Sequence, residues 1–404
     1  MPVFVIAGAG LAGAKAAETL RSEGFGGDVV LLGSEPERPY ERPPLSKGYL
    51  LGNEELSSAY VHPEKWYSEH DVDLRTGVTA DAVDPAAHSV TFGGGTLRYD
   101  KLLLATGASP RRLDVPGAGL DGVLYLRTMP DSERLRAAFR GAPRVVIVGA
   151  GWIGLETAAA ARQAGCEVTV VEPQPGALHA HLGPELGGVF ADLHRSHGVQ
   201  FLFGQSVASI RGDGGRVAGV ALPGGDELPA GLVIVAIGVL PNAGLAARAG
   251  LEVSNGVLTD AALRTSHPDI FAAGDVANSL NPLLGRRVRV EHWANALNGG
   301  PAAARSMLGQ DVSYDRVPYF YTDQYDLGME CAGLPDPGTY DQVVYRGDRD
   351  ALEFVAFWLS AGRVTAGMNV NVWDVNNDIQ SLIRSGRAVD TARLSDPSIP
   401  LTEV

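Results

Sequence analysis

Six glycines have the spacing of a phosphate-binding turn, because they form two G-x-G-x-x-G sets: Gly8, Gly10, Gly13, Gly149, Gly151 and Gly154. In each set the first glycine permits a tight turn, the second lets the backbone approach a pyrophosphate, and the third lets a helix pack on a strand. The N–H groups at the start of the following helix favour phosphate. One set alone can be only a turn between strand and helix, but two sets in one chain predict two dinucleotide sites.

A strand, a helix and a second strand must position the first set. Residues 3–13 are predicted to form a buried strand that runs into the glycine turn, and a helix follows it. The second strand covers residues 28–35 and ends with polar Ser34 and acidic Glu35. A ribose hydroxyl needs an acceptor at about this place, so this ending supports a dinucleotide site.

The second set has the same arrangement, with a strand before it, a helix over residues 155–164 and a strand over residues 167–172. Glu172 ends that strand as an acceptor for a ribose 2′-hydroxyl. Residues 173–178 contain no arginine or lysine, so a ribose 2′-phosphate would meet a carboxylate without a cation nearby in sequence. The pattern favours NAD(H) over the phosphorylated coenzyme.

Three further apolar runs end in small or acidic residues. Residues 97–107 are predicted to be one buried strand, and small residues at such an ending suggest a backbone that passes close to a ligand. Residues 232–238 are predicted to be the last strand of the second nucleotide-binding domain. Residues 269–275 are predicted to be a short apolar strand that leads to Asp275. Residues 314–404 are predicted to form a small third domain with a sheet and a terminal helix over 377–385. The predicted fold class is therefore α/β, with two Rossmann-like domains and a small α+β C-terminal domain.

Composition narrows the function. The chain has 404 residues, 45% of them hydrophobic, which favours two or three well-packed domains. The net charge of -14 disfavours nucleic acid and anionic membranes as partners. Cys166 and Cys331 are far apart in sequence and form no C-x-x-C, so we expect buried small side chains and neither a disulfide nor a metal site. No apolar run could span a bilayer and no signal peptide is apparent, so we expect a cytoplasmic protein.

A proline-rich loop over residues 36–47 carries Arg38, Arg42 and Lys47 soon after the first glycine set. These cations could face an anionic cofactor. They could equally belong to a solvated loop, and the residues alone leave both interpretations open.

The chain resembles the oxygenase-coupled NADH:ferredoxin reductases, which are putidaredoxin-reductase-like flavoproteins of the glutathione-reductase superfamily. The resemblance covers essentially the whole chain and rests on the order and spacing of these segments: 8–13, 39–47, 105–107, 126–128, 149–156, 274–275, 291–296 and 322–325. It implies a discontinuous FAD domain over 1–110 and 242–316, an NAD domain over 111–241, and a C-terminal interface domain over 317–404.

The resemblance also assigns residues to the two cofactors. The expected cofactor-binding residues are Gly8, Gly10, Leu11, Ala12, Gly13, Ser34, Glu35, Arg42, Lys47, Val78 through its backbone, Ala105, Thr106, Gly107, Arg127, Gly274, Asp275, Glu291, His292, Trp293, Tyr321, Gly149, Gly151, Trp152, Ile153, Gly154, Glu156, Glu172 and Gly238.

Five of them have specific expected roles. Asp275 would bind the ribityl chain, Arg127 would contact cofactor phosphates, and Trp293 would lie beside the pyrimidine side of the flavin, unless it only fills the core. A helix that begins near Trp293 would direct its positive N-terminus at the ring. Lys47 and Glu156, one from each nucleotide-binding half, are the expected catalytic residues and would form a charged pair near the hydride-accepting nitrogen. Glu156 also has a simpler explanation, since a carboxylate in the first turn of a helix is stabilised by the macrodipole.

The implied function is that of an FAD-dependent NADH:ferredoxin oxidoreductase. Electrons would pass from NADH through FAD to a two-iron ferredoxin that serves a haem-thiolate or Rieske oxygenase. Two positions depart from the family: Tyr321 replaces a frequent tryptophan at the expected stacking partner of the flavin, and Leu240 replaces a frequent arginine.

Two other functions remain as alternatives. A flavin disulfide or peroxide reductase would need a redox cysteine beside the flavin, where the sequence has Ser46-Lys47. An NADH sensor like the apoptosis-inducing factor would turn over slowly. Arg286, Arg287 and Arg289 form the dense basic cluster of the sequence, which could dock an acidic ferredoxin or could be a solvated hairpin.

Overall fold

The computed structural model describes residues 1–141 and 143–404. Within them the strands are β1 (Val3–Ala7), β2 (Asp28–Leu32), β3 (Val72–Arg75), β4 (Ala80–Asp84), β5 (Ser89–Phe92), β6 (Gly95–Arg98), β7 (Lys101–Leu104), β8 (Ala108–Pro110), β9 (Val123–Leu124), β10 (Arg144–Val148), β11 (Glu167–Glu172), β12 (Gln200–Phe203), β13 (Ser209–Asp213), β14 (Arg216–Ala221), β15 (Glu227–Pro229), β16 (Leu232–Val235), β17 (Val239–Pro241), β18 (Val257–Thr259), β19 (Ile270–Ala272), β20 (Ala277–Asn281), β21 (Arg286–Val288), β22 (Tyr319–Gln324), β23 (Leu327–Gly333), β24 (Gln342–Asp348), β25 (Glu353–Ser360) and β26 (Arg363–Val370).

The helices of the same residues are α1 (Leu11–Ser22), α2 (Gly48–Leu51), α3 (Glu64–Glu69), α4 (Met129–Phe139), α5 (Trp152–Gln163), α6 (His179–Ser196), α7 (Gly244–Arg248), α8 (Trp293–Met307), α9 (Asn376–Ser385) and α10 (Thr391–Ser395). The chain divides into two compact units. Unit 1 contains Met1–Arg42, Leu56–Ser109 and Val239–Pro318, and unit 2 contains Pro43–Glu55, Pro110–Gly238 and Tyr319–Val404.

Unit 1 is built on a parallel sheet with the strand order β19-β7-β1-β2-β3. Val5 and Ile6 of the central strand are fully buried, as expected for a parallel sheet that is covered on both faces. Helices α1 and α8 pack closely, and a Cβ on Gly300 would lie 2.2 Å from the carbonyl oxygen of Ala12. Because the strands are parallel, the carboxyl ends of β1, β7 and β19 lie at the same edge of the sheet, where ligands bind in sheets of this kind.

Unit 2 contains a second parallel sheet, with the order β12-β11-β10-β16-β9, and helices α5 and α6 contribute to its core. An antiparallel sheet with the order β22-β23-β26-β25-β24 belongs to the same unit. Helix α9 packs on β23 and β26, where Gly367 leaves room for Ile379. This C-terminal sheet and helix are the predicted α+β part, and the predicted fold class is confirmed.

Some predicted boundaries differ from the structure. Residues 97–107 belong to two strands, β6 and β7, with a turn at Asp100 between them. The backbone N–H of Asp100 donates to the carbonyl oxygen of Val3, and the backbone N–H of Val3 donates to the Asp100 carboxylate, both at 2.7 Å. Helix α5 begins at Trp152 instead of residue 155, and α9 begins one residue earlier than expected. Among the described residues, no helix combines the length and apolar character needed to cross a membrane.

Candidate active site

In the first glycine set, two of the three glycines leave no room for a side chain. Gly8 has a φ of +124°, and a Cβ there would lie 2.0 Å from the carbonyl oxygen of Ala105. A Cβ on Gly13 would lie 2.0 Å from the carbonyl oxygen of Gly8. At Gly10, by contrast, a Cβ would meet no atom of the described residues within 4 Å. Gly10 also caps α1 and has no side chain to bond the first N–H groups, so the turn fits a pyrophosphate.

The second set repeats this geometry in unit 2. Gly149 has a φ of +105°, and its Cβ would lie 2.4 Å from the carbonyl oxygen of Ala236. A Cβ on Gly154 would lie 2.1 Å from the carbonyl oxygen of Gly149, while the space at Gly151, the N-cap of α5, is open among the described residues. Sequence reasoning selected Gly238 and missed Ala236. The repeated A-x-G endings at 105–107 and 236–238 were the signal that could have identified it.

Each strand that follows a glycine set leads to a carboxylate that is held in place. Glu172 accepts hydrogen bonds from the backbone N–H groups of Ala150 (2.7 Å) and Gln174 (2.8 Å), which places it on the second turn. Glu35 lies beyond β2 and binds Arg42 at 2.7 Å and the Tyr40 hydroxyl. The structure thus brings Glu35 and Arg42 together, whereas Ser34 is exposed.

The cations of the 36–47 loop have partners within the protein. The Arg38 guanidinium lies 3.4 Å from the centre of the Tyr60 ring, Arg42 pairs with Glu35, and Lys47 pairs with Glu156. All three side chains are half-buried, and their role toward an anionic cofactor stays a prediction.

The other expected FAD residues of unit 1 follow β19, follow β3 or lie at the start of α8. Gly274 packs against Ala12, with 3.2 Å between a Cβ built on Gly274 and the Cβ of Ala12. Asp275 follows Gly274 and interacts electrostatically with Arg42. The N–H of Val78 donates to the carbonyl oxygen of Gly33 at 2.7 Å, so its contribution to a ligand would come from its carbonyl group. Helix α8 begins at Trp293, as predicted, with His292 as its N-cap.

The remaining expected residues are distributed as follows. Leu11 and Ala105 are buried; Thr106, Gly107, Arg127, Trp152, Trp293 and Tyr321 are half-buried; Ile153, Gly238 and Glu291 are exposed. Trp152 packs on Phe320, with 4.8 Å between ring centres. Leu240, which replaces a frequent arginine of the family, is exposed.

A buried ion pair joins Lys47 and Glu156, with 2.6 Å between Nζ and Oε1. The Glu156 side chain is only 5% exposed, and a charge at such depth needs partners because its desolvation is costly. Thr322 donates its hydroxyl to Oε1 at 2.6 Å, and the Ser46 hydroxyl donates to Oε2. Lys47 Nζ also lies 5.5 Å from the centre of the Tyr321 ring. Sequence reasoning missed Ser46 and Thr322, since their partners are more than a hundred residues away.

Three elements of unit 2 position this pair. Lys47 comes from the first nucleotide-binding half of the sequence, but Pro43–Glu55 packs in unit 2. The buried Ser132 of α4 anchors that segment by donating to the carbonyl oxygen of Leu45 at 2.8 Å. Glu156 is the fifth residue of α5 and thus lies beyond its first turn. The macrodipole explanation for Glu156 is therefore wrong, because that effect falls off within the first turn.

Both cysteines are buried, as predicted. Burial raises the pKa of the Cys331 thiol, which is fully enclosed in β23, and also raises that of Cys166. The Cys166 thiol faces the carbonyl oxygen of Phe139 at 3.9 Å. Neither environment favours the thiolate that disulfide chemistry requires.

Within the described part of the chain, one group could offer three metal ligands: His88, His267 and Asp269. The ammonium group of Lys101 is bonded to Asp269, and it competes with a cation for that carboxylate.

The basic cluster lies on the hairpin of β20 and β21. Arg287 donates to the carbonyl oxygen of Thr259, and Arg289 pairs with Glu291. Arg286 and Arg287 are exposed, whereas Arg289 follows β21 and its side chain is only 11% exposed, and docking of a ferredoxin at this cluster stays a prediction.

Two dinucleotide turns on two parallel sheets define an oxidoreductase of the two-nucleotide class. The chain belongs to the family described as pyridine nucleotide-disulphide oxidoreductase, which matches residues 2–300, and residues 319–404 match the reductase C-terminal domain.

Curated relatives and solved structures agree with this assignment. The chain is 42% identical over 404 residues to the ferredoxin–NAD(+) reductase component of the anthranilate 1,2-dioxygenase system of Burkholderia cepacia, and the match covers 98% of each chain. It is similar to the reductase in the covalent putidaredoxin reductase–putidaredoxin complex, with a TM-score of 0.96, 35% identity and coverage of 100% and 97%. The ferredoxin reductase for the CYP199A2 system of Rhodopseudomonas palustris gives a TM-score of 0.96, 37% identity and coverage of 100% and 99%.

Proposed function

We propose that this chain is an FAD-dependent NADH:ferredoxin oxidoreductase whose electron acceptor is a two-iron ferredoxin that serves a haem-thiolate or Rieske oxygenase. The two glycine turns carry the proposal, because each leaves open space before an uncapped helix start at the place where a pyrophosphate binds. The relatives add the acceptor, since the Burkholderia cepacia and Rhodopseudomonas palustris proteins, each matched over nearly its whole length, are ferredoxin reductases. When bound, FAD would accept a hydride from NADH and release its electrons singly.

The first turn would hold FAD. The N–H groups at the start of α1 would face the pyrophosphate, and Glu35, fixed by Arg42, would accept from the adenosine ribose. Asp275 would bind the ribityl chain, and the N-terminus of α8 at Trp293 would favour negative charge on the ring. The domain boundaries 1–110 with 242–316, 111–241 and 317–404 are part of this proposal, as are a cytoplasmic location and the cofactor contact of Arg127.

The second turn would hold NADH. Glu172 already lies against the N–H of Ala150, so it is placed to accept from a ribose 2′-hydroxyl. A 2′-phosphate would bring negative charge to the same carboxylate, and this repulsion would exclude NADPH. Lys47 and Glu156 would act at hydride transfer, where the pair keeps a fixed charge arrangement and the protein around it excludes water.

The thiol-reductase alternative has little support, because both cysteines are buried and carry thiols of raised pKa. Purified protein should contain FAD, and NADH should bleach its absorbance rapidly in a stopped-flow instrument. The reduced protein should then reduce two-iron ferredoxins and leave glutathione disulfide, thioredoxin and peroxide largely unreacted. Loss of flavin binding, or efficient disulfide reduction, would overturn the proposal.

A further inference from the structure

A chain of hydrogen bonds between buried side chains leads away from Glu156. Thr322, 1% exposed, donates to Glu156 and accepts from Nε2 of Gln324 at 3.1 Å. Oε1 of Gln324 lies 2.8 Å from Nε2 of His194, which is fully buried in α6. The Tyr325 hydroxyl lies 3.5 Å from Nδ1 of the same imidazole. These hydrogen bonds thus join β22 of the C-terminal sheet to helix α6, which contributes to the core of the second parallel sheet.

The chemistry of each group fixes the direction of these bonds. An ionised carboxylate can only accept hydrogen bonds, so Thr322 must donate its single hydroxyl hydrogen to Glu156. Thr322 can then bind Gln324 only as an acceptor, which turns the amide N–H₂ towards Thr322 and the amide oxygen towards His194. The amide oxygen also only accepts, so His194 must carry its hydrogen on Nε2. Every donor in the chain therefore points towards Glu156.

We propose that His194 and Gln324 are positioning residues that act through Thr322 to hold the Glu156 carboxylate towards Lys47. Bonds that all point the same way polarise one another, so the last donor, Thr322, is stronger than an isolated hydroxyl. A neutral His194 is required, and burial supports this because it lowers the pKa of the imidazole to about 4. This inference rests on the proposed role of Glu156 in hydride transfer.

Nuclear magnetic resonance on the FAD-loaded protein tests the direction of the chain without measuring activity. Histidine would be labelled with ¹⁵N, and the signal of His194 would be assigned by its loss in the His194→Gln variant. At pH 7 we expect a neutral ring with its hydrogen on Nε2. A hydrogen on Nδ1, or an imidazolium, would overturn the proposal, because either state breaks the order of donors.

Rates of flavin reduction by NADH test the effect on Glu156. Thr322→Val should slow reduction about tenfold, the size of one bond to a charged group, while the Kd for NADH stays the same. Thr322→Ser should restore the rate. Gln324→Leu should slow reduction although Gln324 does not contact Glu156, and its combination with Thr322→Val should be no slower than Thr322→Val alone.

Thr157→Val is the matched control. Thr157 is a buried threonine beside Glu156 in α5, but its hydroxyl donates to the carbonyl oxygen of Ile153 at 2.8 Å, outside the chain. Its variant should keep the parental rate. A parental rate in Thr322→Val, or additive effects of the two chain variants, would refute the inference. If NADH failed to reduce the parental flavin, the proposed function would fail, while the resonance measurement would still decide the direction of the chain.

Discussion

Removing the Lys47 ammonium tests how the buried pair works. Lys47→Met keeps an unbranched apolar stem but removes the ammonium group, which leaves the Glu156 carboxylate with only the hydroxyls of Ser46 and Thr322. Breaking a buried pair by removing one partner costs about 3–5 kcal/mol in the free energy of unfolding. Because two donors remain, we expect the lower end of this range, about 3 kcal/mol.

The double variant Lys47→Met/Glu156→Gln removes both charges and preserves the shape of the site. It should regain most of the lost stability, because no unpaired charge stays buried. Urea unfolding measures these free energies, and stopped-flow absorbance measures flavin reduction by NADH, which should be slowed in both variants while FAD stays bound. Parental stability and a parental reduction rate in Lys47→Met would refute the reasoning.

Three further predictions follow from single sites. In the parental protein, kcat/KM should be about a hundredfold higher for NADH than for NADPH, and Glu172→Ala should reduce this preference. Equal kcat/KM values for the two coenzymes in the parental protein would contradict the role of Glu172. His194 accepts a proton near pH 4 when folded and near pH 6.5 when unfolded, so the unfolded state binds more protons between these values. Stability therefore falls as the pH is lowered from about 6.5 to about 4. The loss should total about 3 kcal/mol by thermal or urea unfolding and should be absent in His194→Gln. Replacement of Cys166 and Cys331 by alanine should leave ferredoxin reduction intact, and lost turnover with both cofactors bound would revive the thiol-reductase alternative.

The nucleotide turns could be predicted because their information is local. Gly8 and Gly149 stand directly between a strand and a helix, so spacing alone indicated their conformation. The Glu35–Arg42 contact joins residues of one short loop, and the family resemblance had already assigned both to the cofactor. Burial of Cys331 was predictable from its residue type and apolar surroundings.

The rest of the site depends on contacts between distant segments. Thr322 is 166 residues from Glu156, and His194 is 130 residues from Gln324, so no local pattern reveals either bond. The resemblance to a family indicated Lys47 and Glu156, but the hydroxyls that hold the carboxylate came only from the structure. The turn at Asp100 was missed for the same reason, since its partner is Val3 on a neighbouring strand.

Electrons should leave this protein for a two-iron ferredoxin without a thiol relay. The most direct measurement is the rate of NADH-dependent reduction of a panel of two-iron ferredoxins, followed by stopped-flow absorbance at increasing salt. We predict fast reduction of at least one ferredoxin that slows as salt rises, because redox partners meet through small, charge-steered interfaces. Rapid flavin reduction by NADH with no transfer to any ferredoxin of the panel would contradict the account.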